Sequence, residues 1–174
     1  MEAAIKTYSR LRTGGILFFA FVLSSCGSNN KATDQFVTMD TDTLIEKVAE
    51  APGSKVKVYN FWASWCTPCL KEIPEFEAFV KAHPAEVELV FVSLDRKKVW
   101  DTAVLEVVEE LQMTQPIWLI DQGLDFEWRH KIDEGWVLPA IPVTLMAYKS
   151  HRKFFMKPLE RRELEEALLE LQTL

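Results

Sequence analysis

Val56-Lys57-Val58-Tyr59-Asn60-Phe61-Trp62-Ala63-Ser64-Trp65-Cys66-Thr67-Pro68-Cys69 decides how this chain is read. Residues 56–62 are mostly β-branched or aromatic and predict a buried strand. From Leu70 to His83 the apolar residues Ile73, Phe76, Phe79 and Val80 recur at helical spacing. Two cysteines therefore stand where a strand ends and a helix begins. The unpaired N–H groups of a first helical turn favour a thiolate. They draw a cysteine pKa from about 8.5 toward about 7 or below. The i,i+3 spacing puts the second sulfur on the same face, within bridging reach. Pro68 has no N–H to lose in a first turn and stiffens it. Those properties describe a dithiol–disulfide exchange site.

Other uses of a C-x-x-C pair are weaker. Zinc needs a second pair or histidines at ligand spacing. The third cysteine is Cys26, and His83, His130 and His151 are scattered, so no metal ligand set is expected. A purely structural disulfide stays open as an alternative.

Phe61-Trp62-Ala63-Ser64-Trp65-Cys66-Thr67-Pro68-Cys69-Leu70-Lys71-Glu72-Ile73-Pro74 resembles the thioredoxin superfamily. Within it the chain looks most like the membrane-attached TlpA/ResA-like thiol–disulfide oxidoreductases, over about residues 36–174. The resemblance implies an α/β thioredoxin-like fold, a central mixed sheet flanked by helices. It also implies a TlpA/ResA-type central insertion, here about 96–135. Pro74 matches a helix-kinking proline. The redox-active pair itself would serve, with no further cofactor.

The resemblance also assigns roles. Cys66, nearer the helix start, is expected to attack, and Cys69 to resolve the mixed disulfide. Thioredoxins place a buried Asp where Asn60 stands, and an amide cannot take a proton. Glu72, three residues after Cys69, is the natural substitute and matches a glutamate that tunes thiol acidity in ResA-like proteins. A solvated carboxylate like Glu75 and Glu77 is the alternative. Ile141-Pro142-Val143-Thr144 matches the cis-proline segment of the superfamily. Pro142 is thus expected to be cis, a geometry essentially confined to prolines. An ordinary trans proline is the alternative, and Pro139 is a poorer candidate. Trp65, Thr67, Pro68 and Ile141 are expected to meet the substrate, with Trp65 as a hydrophobic rim and Trp62 in the core. Copper handling would need C-x-x-x-C and a distal histidine, which the spacing here lacks. Arg96-Lys97-Lys98 reads as a solvated turn.

The chain has 174 residues, 48% of them hydrophobic, enough for one sizeable core and one domain. Residues 1–25 carry Glu2, Lys6, Arg10 and Arg12, a net +2, which leaves −8 of the overall −6 on the remainder. An acidic body gives no reason to expect nucleic-acid binding. The basic start, the apolar run Ile16 to Leu23 and the small Ser24-Ser25 read as a signal peptide over 1–25. The run is shorter than a membrane span of about 20 residues. Leu23-Ser24-Ser25-Cys26 resembles a bacterial lipobox, which implies lipidation of Cys26. A plain signal peptide with an incidental cysteine is the alternative. Acylation would leave one cysteine pair and no stray thiol. Residues 26–35 then form a lipidated tether, and 36–174 the thioredoxin-like domain.

Further elements are an edge strand Phe36 to Met39 and a helix with Leu44, Ile45, Val48 and Ala49 on one face. Val87 to Leu94 reads as a buried strand, followed by an amphipathic helix through Trp100, Val104, Val108 and Leu111. Ile117 to Ile120 is a short strand and Phe126 to Ile132 a short helix. A hairpin of Val143 to Tyr148 and Lys153 to Met156 should turn at Ser150-His151-Arg152. Leu164, Ala167, Leu168 and Leu171 line the closing helix.

Two classes of function compete. One is a lipid-anchored thiol–disulfide oxidoreductase, monomeric, on the extracytoplasmic or periplasmic side of a bacterial cell envelope. It would reduce selected protein disulfides, as in cytochrome c maturation or repair of oxidised proteins, and draw on a membrane thiol–disulfide electron donor. A disulfide-forming oxidant is a variant of it. The other is a redox-inactive or metal-holding binding module.

Overall fold

Strand β2, Val56–Trp62, lies inside the sheet, and all its residues but Lys57 are buried. The structure is a computed structural model and describes residues 35–50, 53–121 and 127–174. The proposed signal peptide, Cys26 and nearly all of the tether lie outside the described residues. No helix among the described residues is long and apolar enough to cross a membrane.

Among the described residues, six strands form one mixed sheet. They are β1 (Phe36–Met39), β2, β3 (Val87–Ser93), β4 (Ile117–Ile120), β5 (Val143–Tyr148) and β6 (His151–Phe155). Their order across the sheet is β1-β4-β3-β2-β5-β6. The first four in this order run parallel, β5 is antiparallel to β2, and β6 is antiparallel to β5. β4 thus comes from the expected central insertion and wedges between β3 and the edge strand β1.

Alternation along β2 sorts the two faces of the core. Val56, Val58 and Trp62 pack with Ile73, Phe76 and Phe79 of α2 (Thr67–Ala82) and with Leu164, Leu168 and Leu171 of α5 (Arg161–Thr173). Tyr59 and Phe61 pack on the opposite face. There they meet Leu44 and Val48 of α1 (Thr41–Ala49), Ile132 of α4 (Arg129–Ile132) and Trp136. Helices therefore cover both faces, as expected. Asp40 caps α1 by accepting from the Thr43 N–H at 2.8 Å. Glu160 and Glu163 form a reciprocal capping box on α5.

Several expectations need correction. Ala49 is exposed, so the buried stripe of α1 is Leu44 and Val48 alone. The amphipathic helix expected from Trp100 is irregular. A 3₁₀ turn, Lys97–Val99, runs into a π turn, Trp100–Val104, before α3 (Leu105–Glu110). The wider π turn changes the phase of the side chains, so Val107 joins Val104 and Val108 in the core. The hairpin turns at Lys149-Ser150, with Tyr148 opposite His151, so His151 and Arg152 belong to β6. Lys149 takes φ 53°, the positive value that tight hairpin turns require.

Candidate active site

The parallel strand β2 delivers the chain directly to the start of α2. Cys66 is the N-cap of α2, its N–H donates to Ala63 O at 3.0 Å, and its carbonyl accepts from Leu70 N–H at 3.1 Å. A disulfide joins Cys66 to Cys69 across one turn, with the Cα atoms 5.3 Å apart. Cys66 keeps 5% of its surface and Cys69 none, the order expected of an outer and an inner sulfur. Trp65 stands 70% exposed beside them, and Thr67 and Pro68 are exposed as well. Trp62 is in the core, as expected. Pro74 lies inside α2, which continues through it.

One turn below Cys69, Glu72 is buried, which rules out a solvated surface carboxylate. Its Oε1 accepts from Asn60 Nδ2 at 2.8 Å and its Oε2 from the Leu159 N–H at 2.8 Å. Asn60 Nδ2 also donates to Thr144 Oγ1 at 3.1 Å. Strand parity explains the meeting. Asn60 lies on the α2 face of β2, and Thr144 is its directly paired neighbour on β5. Desolvation raises the Glu72 pKa to about 7, against the bonds from Leu159 and Asn60, which lower it. Asn60 Oδ1 is buried with no hydrogen-bond partner. A solvent-open cleft of about 530 Å³ runs between the start of α2 and residues 158–163, and Glu72 is part of its lining. The carboxyl is thus buried against the core and still borders water.

The third part comes from the loop before β5. The Ile141–Pro142 bond is cis, as expected. Val143 pairs with Phe61 near the end of β2, so Pro142 sits at the cysteine end of the sheet. Pro142 is buried, and half-buried Ile141 packs against the cluster that includes Cys66 and Cys69. Trp136, fully buried, holds this loop through Nε1 to Ala140 O at 3.3 Å. Val137 and Leu138 are left exposed.

The Redoxin family model matches residues 28–135, well over half of the chain. The chain belongs to the Redoxin family. The sporulation thiol-disulfide oxidoreductase A of Bacillus subtilis is 39% identical over 67 residues, 38% of this chain and 41% of the relative. The thioredoxin-like protein YneN of B. subtilis is 28% identical over 107 residues, 58% of this chain and 62% of the relative. The thiol-disulfide oxidoreductase ResA of Bacillus thuringiensis is 31% identical over 94 residues, 53% of this chain and 51% of the relative. The chain therefore spans about four-tenths to six-tenths of these curated relatives. Among solved structures, a thioredoxin-related protein from Neisseria meningitidis serogroup B superposes with TM-score 0.59 at 20% identity. That match covers 72% of this chain and 91% of the other. A DsbF homologue from Corynebacterium diphtheriae gives 0.56 at 20% identity over 68% and 73%. The fold is thioredoxin-like.

The Redoxin match takes in Cys66, Cys69 and Glu72 and stops before Ile141, Pro142, Thr144 and Leu159. The structure brings both groups together at one end of the sheet. His83 lies elsewhere, beyond the C-terminal end of α2, bracketed by Glu86 at 2.9 Å and Glu165 at 2.6 Å. His130 is exposed on α4, and Lys97 and Lys98 are exposed in the 3₁₀ turn. Two residues gain a role that the sequence does not announce. Thr144, which the sequence marks only as part of the cis-proline segment, bonds Asn60, and Asp95 carries no motif of its own. Asp95 is 1% exposed and bonded to Ser64. The available signal is an acidic residue just past the end of a mostly apolar strand, two residues after Ser93.

Proposed function

We propose that this Redoxin-family protein is an extracytoplasmic thiol–disulfide oxidoreductase that reduces selected protein disulfides. The observation that carries the reading is the Cys66–Cys69 disulfide at the start of α2, with a buried carboxyl of raised pKa one turn below. In the reduced enzyme the Cys66 thiolate attacks a substrate disulfide and expels one substrate thiolate. The Cys69 thiolate then attacks the Cys66 sulfur, expels the second and closes the enzyme disulfide. Two electrons pass to the substrate, and two protons complete its thiols. Glu72, with a pKa near the working pH, is suited to take the Cys69 proton, the task Asn60 cannot perform. Trp65, Thr67, Pro68 and Ile141 surround the sulfurs as the docking rim, and Pro142 lines it.

Thr67 and Pro68 bring no charge and one backbone N–H fewer between the cysteines, so the thiolate is only moderately stabilised. A potential near thioredoxin's, about −270 mV, is expected, and one above about −180 mV would make the protein an oxidant or isomerase. We further propose that Cys26 carries the lipid anchor and that a membrane thiol–disulfide donor recharges the pair. Cytochrome c maturation and repair of oxidised proteins are the settings that fit. Insulin reduction tests the activity. The wild type should precipitate the B chain, and Cys66→Ala should fall to background. A wild type indistinguishable from background would defeat the proposal. Membrane fractionation of Cys26→Ser tests the anchor: release to the soluble fraction is expected, and unchanged partitioning contradicts it.

A further inference from the structure

The turn that presents Cys66 is held from a neighbouring strand. Asp95 follows β3 by two residues and keeps 1% of its surface. Its Oδ2 accepts from the Ser64 N–H at 2.8 Å, and its Oδ1 accepts from the Ser64 Oγ–H at 2.7 Å. Ser93 Oγ–H adds a bond to Oδ2 at 3.0 Å and in return accepts from the Asp95 N–H at 3.2 Å. Trp100 Nε1, in the irregular helical segment of the insertion, donates to the Asp95 carbonyl at 2.8 Å. Just inside this knot, Leu94 N–H donates to Trp62 O at 2.9 Å, and Cys66 N–H closes onto Ala63 O at 3.0 Å.

Burying a carboxyl is costly unless its oxygens are well supplied with donors. Three of them converge on Asp95, two from the single residue Ser64. A packing role would be met by an apolar side chain at no such cost. What the carboxyl adds is direction, because two bonds to one residue fix both its backbone and its side chain. Ser64 lies two residues before Cys66, at the only stretch between β2 and α2. We propose that Asp95 is a positioning residue that clamps the Ser64–Cys66 turn and sets the attack geometry of the Cys66 sulfur. The clamp also ties the inserted segment to the site through Trp100. The inference rests on the reading of Cys66 as the attacking thiol.

The test uses the reduced full-length protein and three variants, Asp95→Ala, Asp95→Asn and Ser64→Ala, each confirmed folded by circular dichroism. The readouts are kcat and KM for insulin, the rate with 5,5′-dithiobis(2-nitrobenzoate), and the iodoacetamide rate at Cys66. A displacement of about 1 Å can cost on the order of 100-fold in rate. Partial loosening in Asp95→Ala should therefore lower kcat and the small-disulfide rate by about tenfold, with KM unchanged. Asn preserves the shape, accepts from the Ser64 N–H and donates to its Oγ, so Asp95→Asn should recover to within about threefold. Ser64→Ala, which loses one bond of two, should fall by about threefold. Folded Asp95→Ala and Ser64→Ala proteins with wild-type rates would overturn the clamp. If Asp95→Ala does not fold, Ser64→Ala decides by the same rates. A wild type that fails to reduce insulin, with Cys66 alkylation still altered in the variants, would remove the proposed activity and leave the clamp standing.

Discussion

The two faces of β2 are built from the same strand and behave oppositely. On the α1 face Phe61 meets Trp136 and Trp128 edge-on or tilted at 4.8 and 6.5 Å between ring centres, and Trp136 meets Phe154 at 6.3 Å. Such a face gains from every contact, and its Tyr59 phenol, with a pKa pushed up to about 12 chiefly by burial, stays neutral near pH 7. On the α2 face the same alternation brings Asn60, Thr144 and Glu72 into the core, with Asn60 Oδ1 left without a partner. Apolar side chains would serve stability better there. The α1 face is thus the support of the site, and the α2 face gives up stability for proton chemistry beside the sulfurs.

The largest expected effect strikes the support. Trp136→Ala or Phe61→Ala should cost about 3–5 kcal/mol in chemical denaturation, as large-to-small changes in a packed core do. Neither should move the pH profile of thiol alkylation in whatever fraction remains folded. A moved profile would break the division between the two faces.

Glu72→Gln comes next and should act through pH. Unfolded, the carboxyl ionises near 4.5, while burial keeps it protonated in the folded protein up to about 7. Wild-type stability relative to the variant is therefore highest below pH 4.5. It falls as pH rises toward 7 and is level above. The swing is on the order of 3 kcal/mol. Urea melts of both oxidised proteins at pH 4 and pH 8 measure it, and parallel stabilities at the two pH values would contradict the burial argument. The same variant should shift the alkylation pH profile of the reduced cysteines toward lower pH, by up to about one unit, because an ionised neighbour opposes a thiolate.

Thr144→Val is the mildest. It removes the hydroxyl that accepts from Asn60 and should cost about 1 kcal/mol. Asn60 retains its bond to Glu72, so thiol reactivity should stay at the wild-type level. A large change in reactivity would mean that the hydroxyl does more than hold Asn60.

Much of this was legible in the sequence because it is local. β2, β4, β5 and the buried stripe of α5 follow from β-branched runs and helical periodicity, and the cysteine pair announces itself by spacing. The cis bond at Ile141–Pro142 came from family likeness, since nothing in residues 139–142 alone separates Pro139 from Pro142. What stayed hidden is long-range. The Leu159 N–H reaches Glu72 across 87 residues, and Asp95 reaches Ser64 across 31. No periodicity encodes such pairings. The π turn at Trp100–Val104 and the turn at Lys149-Ser150 were missed for another reason. Each depends on a backbone choice that side-chain pattern leaves open.

Glu72 is the proposed proton partner of the cysteine pair. Carbon-13 labelling of the Glu72 carboxyl, titrated by NMR in the oxidised and the reduced protein, reads that directly. In the oxidised protein the midpoint should lie near 7. In the reduced protein it should rise further, because a neighbouring thiolate disfavours a second negative charge. A midpoint in the ordinary carboxylate range, or one that reduction leaves unmoved, would contradict the account.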